Sequence, residues 1–273
     1  MRIFFDFLQA IVLGLVQGIT EWLPISAKAH LLLLQSSWPL HPESFYVFFK
    51  VILQIGSIAA VLYVFCQTLN PWSKTKRRAE RLNTWRLWGN VLCGSLPVCA
   101  GWFLCRSLIE TYLNAYFVFA ITLIAYGIIF VLISFHEPKV TIERLDGIDS
   151  KTALSIGLFQ CLALVPGTSR SGASILGGMY LGCSRAVASR FSFLIAVPVM
   201  VLAGLADGFA YFHNGNTLSF LQGILLTLGV VVTFVVSVVT IKWFLRWIQN
   251  HTFQGFGWYR IFLGIAILMV FYL

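Results

Sequence analysis

The sequence predicts an all-α polytopic membrane protein, folded as an inverted-topology repeat bundle with two re-entrant helix–loop–helix hairpins. Three observations carry that expectation. Of 273 residues, 59% are hydrophobic and 11% charged, with a mean hydropathy of +0.85, whereas a soluble domain carries about 25% charged residues. Apolar spans run near 45–66, 87–105, 115–135, 187–209, 218–247 and 256–273. Two further apolar regions, 6–37 and 152–182, break in the middle at "LPISAKAH" and "VPGTSRSGAS". At roughly 20 apolar residues per span the length leaves no room for a separate soluble domain, so residues 1–273 form one membrane domain.

Taken in order, the first element opens after Arg2 with an apolar run that Asp6, Gln9 and Gln17 interrupt. No small-x-small cleavage site follows, so this is a first membrane element rather than a signal peptide. The halves of each broken region look too short to cross a bilayer alone. Interrupted backbone at membrane depth is tolerated only where protein or a water-filled cavity satisfies it, hence two re-entrant hairpins. The segment 67–86 carries Lys74, Lys76, Arg77, Arg78, Arg81 and Arg86. Between two spans, such a run obeys the positive-inside rule and marks a cytoplasmic loop rather than a nucleic-acid site. The six cysteines lie in or beside apolar segments without a CxxC pair and act as small packing residues. Composition points to no cofactor.

With 67–86 inside, parity places 136–151 inside, 210–217 outside and the carboxyl terminus outside. The first hairpin then enters from outside and the second from inside. Inside loops and span ends collect most of the Lys and Arg residues, outside ones only Arg2 and Arg106, while Lys28, Lys50 and Arg170 fall within apolar regions. The broken regions also resemble each other. "LGLVQGITEWLPISAKAHLLL" lies on "IGLFQCLALVPGTSRSGASIL", pairing Gln17 with Gln160 and, after a one-residue slip, Pro24 with Pro166. Repeats of about 6–135 and 152–273 with opposite orientation place the site near the midplane, where the broken helices meet.

In the first break, Gln17 and Glu21 share a helix face, Pro24 ends the helix, and Ser26, Lys28 and His30 follow. An intramembrane ionisable residue is a functional candidate by default; a structural Glu21–Lys28 ion pair and a snorkelling Lys28 are the plainer readings. In the second break, Gly167, Thr168, Ser169, Arg170, Ser171 and Ser174 make a small-residue turn with four hydroxyls around one arginine. Helix-initial N–H groups attract anions, and a guanidinium fork suits phosphate oxygens. Small residues also serve helix packing in membranes, but the buried arginine favours an anion site. Lys50 and Gln54 share a face and either line the cavity or satisfy hairpin backbone. Arg185 and Arg190 suit a cytoplasmic span end, and Asp207 a solvated outside boundary. His41, His136, His213 and His251 make no metal-ligand spacing.

"GLVQGITEWLPISAKAH", "GLFQCLALVPGTSRSGAS" and "CSRAVASRFSFLIAVP" resemble the undecaprenyl-diphosphate phosphatases, the bacitracin-resistance membrane proteins of bacteria, in element order over nearly the whole chain. The resemblance implies a hydrolase of the bacterial inner membrane. It converts a polyprenyl diphosphate carrier to its monophosphate for peptidoglycan and other envelope polymers, on an inverted-repeat bundle with a divalent cation, Mg²⁺ or Ca²⁺. By motif, Glu21, His30 and Arg170 match catalytic positions, and Ser169, Ser171 and Ser174 match hydroxyls of the phosphate-binding turn, Ser174 replacing the usual threonine. The first motif departs: Gln17 stands for a glutamate, and Ser26, Ala27, Lys28 and Ala29 stand for two serines, a threonine and a glycine. Ala27 replaces the serine often proposed as nucleophile.

From these residues, Arg170 and the 166–171 turn are expected to hold the diphosphate. Glu21 ligates a cation or orients water, and His30 transfers a proton. Water, His30 and Ser26 are the candidate nucleophiles, with water or His30 preferred. One carboxylate makes a thin metal site, and Lys28 offers a compensating point charge. Inverted repeats with broken helices equally mark secondary carriers, so a lipid-phosphate or anion transporter, or a carrier-binding pseudoenzyme, is the rival reading. The sequence sets neither oligomeric state, prenyl chain length nor cation preference.

Overall fold

A computed structural model describes residues 2–113, 115–135 and 138–272, apart from the side chains of Arg2, Arg106, Glu110 and Tyr272. The side chains of Arg2 and Arg106, and His136 of the polar loop, thus lie outside the described residues. The chain is helical throughout: α1 (Arg2–Thr20), α2 (Ala27–Ser37), α3 (Glu43–Val64), the single turn α4 (Cys66–Leu69), α5 (Arg78–Leu108), α6 (Tyr116–Ile133), α7 (Ser150–Gln160), α8 (Arg170–Tyr180), α9 (Arg185–His213), α10 (Phe220–Trp247) and α11 (Gln254–Tyr272). Extended pairing among the described residues is limited to one isolated bridge, Ile142 to Cys183. Seven helices are long and apolar enough to cross a membrane. With the composition, that makes the chain a multi-pass membrane protein.

Both broken regions form helix–break–helix pairs, α1–α2 and α7–α8. The length expectation needs one correction. α7 and α8 have 11 residues each, roughly 16 Å of helix against a hydrocarbon core of about 30 Å. α1 has 19 residues, and its window Ile3–Thr20 is itself long and apolar enough to span. The amides that seemed to interrupt it are satisfied without bending it. Gln9 Nε2 donates to Pro39 O at 3.2 Å, and Gln17 Nε2 reaches forward one turn to Glu21. The basic loop is also shorter than expected, because Arg78–Arg86 opens α5. There Glu80 Oε2 accepts from Arg77 N at 2.6 Å and caps the first turn.

The packing is reciprocal. α1 lies on α10, and α7 lies on α5; α3 packs on α10 and α9, α6 on α11. Helices approach where side chains vanish, as expected where lipid removes the hydrophobic drive for association. A Cβ on Gly127 would stand 2.7 Å from Gly257 O, and one on Gly257 would stand 2.7 Å from Gly127 O. The central core gathers Trp22, Phe130, Phe191, Phe193, Phe244 and Phe253, all but shielded from outside. Trp22, two residues past the end of α1, meets Phe193 edge-on at 5.1 Å between centroids. That contact anchors the first break beside α9, where α8 also packs.

Candidate active site

The two breaks meet at the centre, and their backbone polar groups are accounted for almost one by one, as burial demands. In the first, Pro24 offers no N–H to continue α1, and the chain turns through Leu23–Ser26. Ser171 Oγ donates to Leu23 O at 3.2 Å, Arg260 Nη1 to Pro24 O at 3.1 Å, and His30 Nδ1 to Ser26 O at 2.8 Å. In the second, Thr122 Oγ1 lies 2.7 Å from Pro166 O, and Arg260 Nη2 donates to Gly167 O at 3.1 Å. One guanidinium therefore ties both breaks together.

Across this junction, Arg170 Nη2 donates to Glu21 Oε1 at 2.8 Å, while Gln17 Nε2 donates to Glu21 Oε2 at 2.9 Å. The two charged side chains are only 16% and 14% exposed. Such a pair is sheltered from the screening that weakens surface ion pairs, and breaking it by removing one partner costs about 3–5 kcal/mol. Gln17 supplies a neutral donor where a second carboxylate would repel Glu21. The fork of Arg170 is half used: Nη1 is buried without a partner, and the guanidinium carbon sits 5.9 Å from the centroid of the Trp22 ring. Buried donors without partners are rare and call for a reason; a phosphate oxygen is one that fits the fork.

The second turn is built for close approach. Gly167 adopts φ +88, and a Cβ there would collide with Thr122 Oγ1 and stand 2.8 Å from Phe119 O. Gly167→Ala is expected to lower the melting temperature in detergent by several degrees, through a strain of roughly 1–3 kcal/mol, measurable by thermal unfolding. Ser169 caps α8, its Oγ accepting from Gly172 N at 3.2 Å, and it lies 3.0 Å from Ser171 Oγ. Because the Ser171 proton points to Leu23 O, Ser169 is the donor between them.

Glu21, bonded to Gln17, therefore meets Arg170, while Ser171 bonds to the first break and Ser169 to Ser171. His30 reaches the first break through Ser26 O, and Gly167 is tied to it through Arg260. Ser26 holds an uncommon φ of +71, a strain of order 1–3 kcal/mol that clusters at functional sites. His30 binds its carbonyl at 2.8 Å, and among the described residues no hydrogen bond joins the Ser26 hydroxyl to His30. Ser174 is fully buried; its Oγ lies 2.8 Å from Arg170 O and 2.6 Å from Ser192 Oγ. It fastens α8 to α9 rather than facing a ligand. Gln54 is half-buried on α3, and no hydrogen bond among the described residues joins it to the cluster. Lys28 is exposed at the start of α2, with Glu21, Asp207 and Arg170 as charged neighbours. Asp207, expected in solvent, is half-buried and also faces Lys50.

Sequence reasoning found the C-terminal span but missed its part in the site. Arg260, counted among the inside span ends, is fully buried and lies over the Tyr126 and Phe130 rings at 5.5 and 5.8 Å. Its neighbour Tyr259 places its hydroxyl 2.6 Å from His30 Nε2. The signal was available: Arg260 is the one ionised residue in 254–272, and intramembrane charge marked Arg170 in the same way.

The sequence matches known proteins over nearly its whole length. The family described as "Bacitracin resistance protein BacA" matches residues 10–266. A protein of Limosilactobacillus fermentum named "Undecaprenyl-diphosphatase" is 41% identical over 269 residues, 97% of this chain and 98% of the relative. A Lactiplantibacillus plantarum protein of the same name is 41% identical over 266 residues, 96% and 97% of the two chains. One from Enterococcus faecalis is 40% identical over 276 residues, 99% of each. With buried arginines, a carboxylate and a histidine gathered where its two broken helices meet, the chain belongs to the bacitracin resistance protein BacA family.

Proposed function

We propose that this chain hydrolyses undecaprenyl diphosphate to undecaprenyl phosphate and inorganic phosphate, recycling the lipid carrier for cell-wall polymers and conferring bacitracin resistance. The observation that carries the site assignment is the half-used fork of Arg170, whose Nη1 is buried without a partner beside Glu21. In a diphosphate complex Arg170 binds phosphoryl oxygens through that donor, and the first-turn N–H groups of α8 add to it. The transition state of phosphoryl transfer is loose, so positioning and charge stabilisation do most of the work. Water is the nucleophile in this assignment, Glu21 orients it, and His30 moves the proton.

Among the described residues no group of three His, Cys, Asp or Glu side chains gathers to hold a metal ion. Glu21 alone offers carboxylate oxygens at the junction, which fits a cation held mainly by substrate phosphates, as Mg²⁺ commonly is. Bound there, the ion would shield phosphate charge. Lys28 adds a second positive charge on the exposed side. The reciprocal packing of α1 on α10 and α7 on α5 supports inverted repeats of about 6–135 and 152–273. The basic character of 67–86 and 136–151 supports a cytoplasmic location for both loops, in the bacterial inner membrane.

Phosphate release from undecaprenyl diphosphate by the purified protein in detergent, with and without Mg²⁺ or Ca²⁺, tests this reading. Cation-stimulated release is expected, and Glu21→Gln is expected to lower kcat by roughly a hundredfold or more. A folded protein that binds the lipid without releasing phosphate would instead be a carrier or a lipid-phosphate transporter. Ala27 and the single carboxylate are the features that favour that rival.

A further inference from the structure

We propose that Tyr259 is a positioning residue that orients His30, whose tautomer the Ser26 carbonyl sets, so that the Nε2 lone pair is the atom that accepts the proton in hydrolysis. The inference rests on the phosphatase reading and adds a residue and an atom to it.

The bond pattern fixes the tautomer. His30 Nδ1 lies 2.8 Å from Ser26 O, and a backbone carbonyl only accepts, so Nδ1 carries a proton. In the neutral ring Nε2 then has the lone pair, and the Tyr259 hydroxyl, 2.6 Å away, donates to it. Orientation is fixed as well as protonation: the two rings are parallel within 2°, their centroids 5.7 Å apart. A histidine whose second nitrogen is tied to an acceptor presents the other in a set direction. Here the strained Ser26 backbone, φ +71, provides the acceptor that a carboxylate provides in serine hydrolases.

Tyr259 suits a partner that must yield. It is 44% exposed, so its hydroxyl can leave Nε2 for water when the headgroup enters. Its backbone is held firmly, because the next residue, Arg260, binds both breaks through Pro24 O and Gly167 O. α11 thus delivers a fixed anchor and a movable hydroxyl on consecutive residues. In the reaction, the attacking water forms a P–O bond to the terminal phosphorus and gives a proton to Nε2. The phosphoanhydride P–O bond breaks, and its electron pair leaves on undecaprenyl phosphate. The Tyr259 hydroxyl then accepts from Nε2–H instead of donating. The leaving phosphate takes the proton from Nε2, and the ring returns to its resting tautomer.

Tyr259→Phe keeps the ring and removes the hydroxyl. Two measurements on the detergent-purified full chain test the proposal: steady-state phosphate release, and ¹⁵N spectra of histidine-labelled protein with His30 assigned by a His30→Gln sample. Wild-type protein is expected to show His30 as the Nδ1–H tautomer with Nε2 accepting a hydrogen bond, and the variant the same tautomer with its Nε2 resonance shifted by loss of that donor. In the variant kcat is expected to fall roughly 10- to 100-fold, the usual loss when a histidine's orienting partner is removed, with KM within about twofold. An unchanged kcat overturns the proposal, as does a fall in kcat with the His30 spectrum unaltered. If wild-type protein releases no phosphate, the phosphatase reading fails, while the spectra still decide whether Tyr259 bonds to Nε2.

Discussion

Arg170→Lys is expected to reduce kcat/KM for phosphate release by roughly a thousandfold while leaving the protein folded. Arginines that stabilise transferring phosphoryl groups contribute about 10³–10⁵ in rate, and lysine retains the charge without the fork. In the resting site, Nη2 is committed to Glu21 at 2.8 Å, and Nη1 is the donor left over. A lysine ammonium can pair with Glu21 or meet the phosphate but does not span both in fixed geometry. It also loses the planar face that lies 5.9 Å from the Trp22 ring. Arg170→Ala is a different experiment. It leaves the Glu21 carboxylate buried with Gln17 as its remaining hydrogen-bond donor, so a destabilisation of about 3–5 kcal/mol accompanies the loss of rate. Kinetics and thermal unfolding of both variants separate these effects. A lysine variant within tenfold of wild type would show that charge, not the fork, does the work.

That Glu21 and Arg170 belong to the site was legible because both are ions in apolar sequence beside a proline break. The sequence offered Lys28 as the ion-pair partner of Glu21, and the structure pairs it with Arg170 instead. The breaks themselves were legible from Pro24 and from "PGTSRSGAS". What sequence could not supply was direction around a helix axis. Ser174 belongs to the hydroxyl-rich turn by position, yet it lies one turn into α8, where its hydroxyl meets Arg170 O and Ser192 of α9. Ser26 looked like a hydroxyl donor, but positive φ turns its carbonyl toward His30. α1 was read as a half-span because the break at "LPISAKAH" seemed to divide region 6–37 into two short halves; the helix instead opens at Arg2 and gathers 19 residues before the break. Arg260 was hidden by its address, a few residues into the last span, where the positive-inside rule already offered an explanation. Long-range contacts to residues more than 90 positions away decide otherwise, and no local pattern encodes them.

Arg260→Met is expected to lower kcat by about a hundredfold with only a small change in melting temperature. Among the described residues Arg260 meets carbonyls and aromatic rings rather than a carboxylate: Pro24 O and Gly167 O at 3.1 Å each, and the faces of Tyr126 and Phe130. Two stability terms oppose. Losing the guanidinium leaves two carbonyls short of a donor, costing about 1–3 kcal/mol each, but it also removes a buried charge whose desolvation costs several kcal/mol. Methionine fills much of the volume, so these terms offset. Catalysis has no such offset. The two carbonyls belong to different halves of the chain, and Arg260 is the one side chain bonded to both breaks' carbonyls among the described residues. Without it, His30 and Glu21 on one side lose their fixed relation to Arg170 and the 166–171 turn on the other. A misplacement of about 1 Å costs on the order of a hundredfold in rate. Thermal unfolding with phosphate release reads both quantities. A variant that melts normally and hydrolyses normally would mean that the Glu21–Arg170 pair and the Ser171–Leu23 bond hold the halves in register without it. Arg260→Lys, whose single ammonium cannot serve two carbonyls with the same geometry, is expected to fall between methionine and wild type.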